Sequence, residues 1–114
     1  MNITGKAPLG LKEPKPKPDP AYLAKVRQLP CCICEAWGMA QTSETHAHHP
    51  IHDRYGTRKA PDRFAIPLCE AHHQGLRDKG KTAIHRSPKV WRTLFGPDHA
   101  WIAPTQDKLL GGGE

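Results

Sequence analysis

The sequence predicts a small α+β domain that is held together by bound zinc. The chain has 114 residues, and with 37% hydrophobic residues, 12 prolines and 10 glycines it has little apolar material for a core. Two pairs of potential metal ligands, Cys31 with Cys34 and Cys69 with His72, each enclose two residues. Two short β-tolerant segments alternate with helical patterns, which completes the α+β prediction.

The N-terminal part predicts a flexible arm followed by a helix. Residues 8–20 read PLGLKEPKPKPDP, and proline alternating with charge favours extended, unpacked chain. We therefore expect a disordered Pro/Lys-rich arm over residues 1–20. Asp19 resembles an N-cap and Pro20 a first-turn proline, so a helix is predicted over residues 21–29, and Pro30 ends it.

The central part predicts two strands with helices around them. The run from Cys31 to Cys34 is interpreted as a tight knuckle, residues 43–49 as a short strand and residues 64–68 as a second strand. A helix is expected over residues 69–79 with Gly80 as its stop, and a last helix over residues 87–96. The domain is expected to span residues 21–96, which leaves residues 97–114 as a C-terminal tail.

Charge and apolar runs suggest a partner and a compartment. Lys and Arg outnumber Asp and Glu by 17 to 11, which favours a polyanion such as nucleic acid. The sequence shows no signal-peptide core and no apolar run approaching the roughly 20 residues of a membrane span, so a reducing cytoplasm is expected and no membrane partner. Oligomeric state is not indicated.

The first ligand set is typical of a structural zinc site. Cys31, Cys34, Cys69 and His72 form two closely spaced pairs, and four N/S ligands close a tetrahedron with no position for water. Cys32 competes with Cys31 as a ligand, although only one residue separates it from Cys34. A redox role for Cys31 and Cys34 is the less favoured alternative, because no thioredoxin-like βαβ pattern surrounds them.

Of the seven histidines that remain once that zinc is satisfied, three are singled out: the neighbours His48 and His49 on the first strand, and His73 next to the ligand His72. Neighbouring strand residues point to opposite faces, so His48 and His49 are not expected to bind one ion together. One imidazole can instead hold a divalent cation while the other accepts a proton from water, because an unperturbed imidazole with a pKa of about 6.5 is largely neutral at physiological pH.

Together these motifs resemble the HNH endonucleases over roughly residues 31–80. The likeness is to their cysteine-bearing branch and to small zinc-containing nucleases of phages and prophages. The resemblance implies a ββα-metal fold in which His48 and His73 hold the catalytic cation and His49 is the general base. The middle Asn of the family would fall near Phe64, where this chain has none, and Asp62 is expected to take over its orienting role. A third metal ligand is left open between Asp53, His52 and His85.

The function that this resemblance implies is metal-dependent hydrolysis of DNA. His49 would deprotonate water, and Mg²⁺ or another dication such as Mn²⁺ would neutralise charge at the scissile phosphate and the leaving 3′ oxygen. Four basic residues in or beside the loop between the strands are expected to grip flanking phosphates with little sequence preference: Arg54, Arg58, Lys59 and Arg63.

Some phage members of this group act with a recombination protein filament, which is therefore a further expected partner. The competing function is a non-catalytic zinc module that binds nucleic acid or protein.

Overall fold

The computed structural model describes residues 17–56 and 59–111. It contains seven regular elements, which in chain order are α1 Pro20–Arg27, α2 Cys32–Trp37, β1 Thr45–His48, β2 Ile66–Cys69, α3 Glu70–His73, α4 Pro88–Phe95 and α5 Ile102–Gly111. Three 3₁₀ turns complete them: Asp53–Gly56, Asp62–Phe64 and Asp98–Trp101. The α+β class is confirmed as a two-stranded sheet with helices around it.

The two strands form an antiparallel pair that fixes the position of the following helix α3. The register places Thr45 opposite Cys69 and His48 opposite Ile66. The backbone N–H of Glu70 donates to the carbonyl of Glu44 at 2.9 Å, which prolongs the ladder into α3. The start of α3 is therefore fixed relative to β1, because strand pairing determines register.

A small core lies between the sheet and the helices. Its buried side chains include Ile33 of α2, Ile66 and Leu68 of β2, Ile84 and the fully buried Trp91 of α4. Phe95 packs edge-on against Trp91 with ring centroids 5.2 Å apart. Few apolar residues contribute, as the composition predicted, and the four cysteines are buried among them.

Several predicted elements are confirmed and others are wrong. Helix α1 begins after Asp19, whose Oδ1 accepts a hydrogen bond from the Tyr22 N–H at 3.1 Å, and α4 has Pro88 in its first turn as expected. The residues expected as a knuckle instead form the first turn of α2, where the Cys31 sulfur accepts from the Cys34 N–H. Residues 1–16 of the predicted arm lie outside the described part.

Helix α3 is much shorter than predicted, because it ends at His73 and not near Gly80. Gly75 has φ of +70°, in the left-handed region that closes helices. The buried carboxylate of Glu70 accepts hydrogen bonds from the backbone N–H groups of Leu76 at 2.8 Å and Arg77 at 3.2 Å. The backbone N–H groups of Leu76 and Arg77 therefore have hydrogen-bond acceptors although the helix does not continue to them.

The C-terminal tail prediction is also wrong for the described residues, since helix α5 occupies most of that segment. The amide of Gln106 in α5 donates to the carbonyl of Arg63 at 2.9 Å. Helices of the described ranges are all too short or too polar to cross a bilayer.

Candidate metal centres

Four buried side chains meet where β2 runs into α3. Cys31 comes from the N-cap of α2, Cys34 from its first turn, Cys69 from the end of β2 and His72 from α3, and all four are at most 2% exposed. The Nδ1 of His72 lies 3.6 Å from the sulfurs of Cys31 and Cys34 and 3.3 Å from that of Cys69. The sulfurs of Cys34 and Cys69 are 3.8 Å apart.

These distances fit the tetrahedral coordination of one metal ion by the four side chains. With Zn–S near 2.3 Å and Zn–N near 2.0 Å, neighbouring ligand atoms of a tetrahedron lie about 3.5 to 3.8 Å apart. Four donors within 4.8 Å of one another, three of them thiols, can hold a metal such as zinc. The four residues selected by spacing therefore lie together in the fold.

Hydrogen bonding between the thiols separates the pKa values of Cys31 and Cys69 in opposite directions. Donation to Cys69 and burial raise the pKa of Cys31 far above its usual range, whereas the hydrogen bond from Cys31 and the neighbouring His72 lower the pKa of Cys69 to about 3. Burial raises the pKa of Cys32 to about 12, and this thiol lies outside the ligand cluster. Of the two cysteines left open by the sequence, the geometry selects Cys31.

A second cluster consists of three imidazoles, from His48 at the end of β1, His73 at the end of α3 and His85 in the segment before α4. Ring centroids are 5.0 Å apart for His48 and His73, 5.4 Å for His48 and His85, and 4.7 Å for His73 and His85. Each ring offers one nitrogen as a possible ligand, and these three nitrogens lie within 4.8 Å of one another.

His85 is placed by backbone hydrogen bonds between the segment before α4 and helix α3. Its N–H donates to the carbonyl of His73 at 3.0 Å, and the N–H of Ile84 donates to that of His72 at 2.9 Å. The Nε2 atoms of His73 and His85 are consequently 3.1 Å apart. Nitrogens bound to one cation at about 2.0 to 2.1 Å lie roughly 2.9 to 3.4 Å apart, so these two fit as neighbouring ligands.

The other two candidates for a third ligand are engaged elsewhere. Both nitrogens of His52 bond to backbone, Nδ1 accepting from the N–H of Asp98 at 2.9 Å and Nε2 donating to the carbonyl of Pro88 at 3.1 Å. Asp53 lies at the surface, where its oxygens accept from Arg92 at 2.8 Å and from His99 at 2.7 Å. Neither belongs to the imidazole cluster.

All three imidazoles of this cluster are disposed to be neutral. Burial and the neighbouring imidazoles lower the pKa of His73 to about 3. Burial also lowers the pKa of His48, against the opposing effect of Asp98, and burial lowers that of His85. Neutral rings keep the lone pairs that a metal requires.

Asp98 is a site residue that the sequence did not reveal. It is fully buried, and its carboxylate accepts hydrogen bonds from His48 Nε2 at 2.9 Å and from the backbone N–H groups of Ile51 at 2.6 Å and His52 at 3.1 Å. Burial alone would raise the pKa of Asp98, but these hydrogen bonds outweigh it and lower the pKa. Because Nε2 of His48 donates to this carboxylate, Nδ1 is left for a cation.

His49 points to a different partner from its neighbour His48. Its Nε2 lies 2.8 Å from Oδ1 of Asp62, while Oδ2 of Asp62 accepts from the N–H of Asp19 at 2.8 Å. The hydrogen bonds from Asp19 and from His49 lower the pKa of Asp62, so this carboxylate is ionised and only accepts. In the neutral form of His49 the hydrogen is therefore on Nε2 and the lone pair on Nδ1.

Three of the four basic residues predicted to contact DNA phosphates lie within the described part of the chain. Lys59 and Arg63 are exposed, Arg54 belongs to the 3₁₀ turn after Ile51, and Arg58 lies outside the described residues. A cleft of about 320 Å³ beside Asp62 is lined by Lys17, Arg63, Asp19 and two prolines. Two cations therefore flank the partner of His49.

A family model described as "Protein of unknown function (DUF968)" matches residues 9–113. No curated protein matches the chain. No solved structure matches it either.

Proposed function

The chain belongs to the family described as protein of unknown function DUF968, and we propose that it is a metal-dependent DNA endonuclease of the HNH type. The observation that carries this proposal is that two neighbouring residues at the end of β1 belong to two different groups: His48 to an imidazole triad with His73 and His85, and His49 to a pair with Asp62. The buried cluster of three cysteines and one histidine would hold a structural zinc.

A structural zinc alone does not account for the second cluster. A closed tetrahedral site needs four ligands, and the thiol cluster with His72 already supplies them. Three neutral imidazoles that leave further coordination positions open are typical of a reactive metal centre. Imidazole suits transition-metal dications better than it suits Mg²⁺. The triad therefore favours Zn²⁺, Ni²⁺ or Co²⁺ over the Mg²⁺ that the resemblance implies.

The proposed chemistry assigns the proton to His49. Asp62 fixes the hydrogen on Nε2, so Nδ1 is free to take a proton from the attacking water, and the carboxylate stabilises the imidazolium that forms. The cation, when bound by His48, His73 and His85, would neutralise charge that develops on the phosphate. Lys17 and Arg63 beside the Asp62 cleft would position the DNA backbone through its phosphates.

Replacement of His49 tests the proposal. General-base catalysis contributes about 10²- to 10⁴-fold, so His49→Ala should lower the rate of plasmid cleavage by at least about 100-fold. Cleavage is measured with Mg²⁺, Mn²⁺, Ni²⁺ and Co²⁺ in turn, and DNA binding in parallel. His49→Ala should still bind DNA and both metals.

His99→Ala is the matched control, since it also removes a partly exposed imidazole from a carboxylate partner, Asp53. That variant should cleave at the wild-type rate. Near-normal cleavage by His49→Ala would refute the assignment of the base. DNA binding without cleavage by the wild-type protein with any of these ions would favour the non-catalytic module.

A further inference from the structure

We propose that His46, supported by Glu44, is a positioning residue that fixes which nitrogen of His73 faces the imidazole triad. This inference rests on the proposed function, because it assumes that the triad of His48, His73 and His85 holds a cation. It assigns a role to His46 of β1 and to Glu44 just before β1, which the sequence left without one.

His46 contacts the side of His73 that faces away from the triad. The Nδ1 atoms of the two rings are 2.9 Å apart, and the rings pack edge-to-face with centroids 5.1 Å apart. His46 and His48 lie two residues apart on β1 and therefore point to the same face of the sheet. The ring of His73 is accordingly bordered by both.

Glu44 determines the direction of this hydrogen bond. Its Oε2 lies 3.3 Å from Nε2 of His46, and its Oε1 pairs with the guanidinium of Arg77. A carboxylate paired with Arg is ionised and only accepts, so Nε2 of His46 donates to it. In a neutral His46 the remaining nitrogen, Nδ1, then accepts.

The direction of the hydrogen bond between His46 and His73 determines which nitrogen of His73 carries the hydrogen. Since Nδ1 of His46 accepts, Nδ1 of His73 must donate, which leaves the lone pair of His73 on Nε2. That nitrogen is the one 3.1 Å from Nε2 of His85, on the triad side. Metal-bound histidines commonly donate their other N–H in this manner, and loss of such a partner weakens metal binding about 10- to 100-fold.

The test is a metal titration of the full chain with zinc already in the thiol site. Co²⁺ is added and its visible absorbance gives the affinity of the second site without reference to activity. His46→Ala should bind Co²⁺ about 10- to 100-fold more weakly than wild type. His46→Asn should restore binding, because its amide oxygen can accept from Nδ1 of His73.

The control is His99→Ala, because the side chains of His46 and His99 are both 30% exposed. It should bind Co²⁺ as wild type does. Should His46→Ala fail to fold, Glu44→Ala, which removes a 46% exposed side chain, must show a weaker loss in the same direction.

The outcomes separate the two proposals. A wild-type chain that binds no second metal would refute the proposed function itself. A second metal bound equally well by wild type and His46→Ala would overturn only the positioning role. Equal weakening by His46→Ala and His46→Asn would also overturn it, because the acceptor atom would then be irrelevant.

Discussion

Asp98 shows how one buried charge can join a histidine side chain to the backbone around it. A carboxylate excluded from water is stable only when its oxygens are hydrogen-bonded, and here His48 and the amides of Ile51 and His52 provide three donors. The backbone N–H of Asp98 in turn donates to His52. The segment after β1 and the turn before α5 are thereby joined at the ring of His48.

Asp98→Ala should therefore be strongly destabilising. Removing one partner of a buried charged network leaves donors unsatisfied and costs about 3 kcal/mol or more. Urea unfolding measures this cost, and metal titration should show weaker binding at the triad. Asp107→Ala removes an exposed carboxylate from α5 and should change the free energy of unfolding by less than about 0.5 kcal/mol. Equal stability of the two variants would contradict the role given to Asp98.

Among the helices and strands, sequence signals predicted the features that depend on residues close together in the chain. Caps and prolines identified α1 and α4, a polar β-tolerant run identified the first strand, and a brief apolar run identified the second. The length of α3 could not be predicted in this way, because it depends on the buried Glu70 carboxylate reaching the amides beyond Gly75. That contact exists only after the segment has folded back.

Gly75→Ala tests whether this turn positions the third ligand. A Cβ on Gly75 would lie 2.7 Å from Cβ of Ala83 and 2.9 Å from Nη1 of Arg86, in the segment that carries His85. The left-handed conformation adds about 1 kcal/mol or more for any residue with a Cβ. We expect a lower free energy of unfolding and weaker metal binding at the triad, with zinc retained at the thiol site.

Gly38→Ala is the matched control for the backbone effect. Gly38 has φ of +65°, but a Cβ there would meet nothing within 4 Å. It should show the conformational cost alone, measured by thermal melting, and normal metal binding at the triad. Identical behaviour of the two variants would mean that the contact with Ala83 is unimportant.

For the whole molecule, the two clusters share one short helix. His72 belongs to the thiol cluster and His73 to the imidazole cluster, so the element that closes one site also supplies the other. Spacing along the chain was enough to select Cys34, Cys69 and His72, and it favoured Cys31 over Cys32 without excluding Cys32. It could not select His85 or reveal Asp98, because each joins its site through contacts between segments that the sequence does not order.

Loss of the zinc ligands should consequently affect both clusters. Cys34→Ser removes a thiol from the cluster that would hold a structural zinc, and zinc bound there would contribute folding free energy. The variant should therefore lose zinc and cooperative melting together, and then metal at the triad. Cys32→Ser is the control, since Cys32 is buried beside the cluster but does not belong to it. Metal content by mass spectrometry and thermal melting measure both. Full zinc content with unchanged melting in Cys34→Ser would show that Cys34 is not a ligand. Loss of zinc with unchanged metal binding at the triad would show that the two sites are independent.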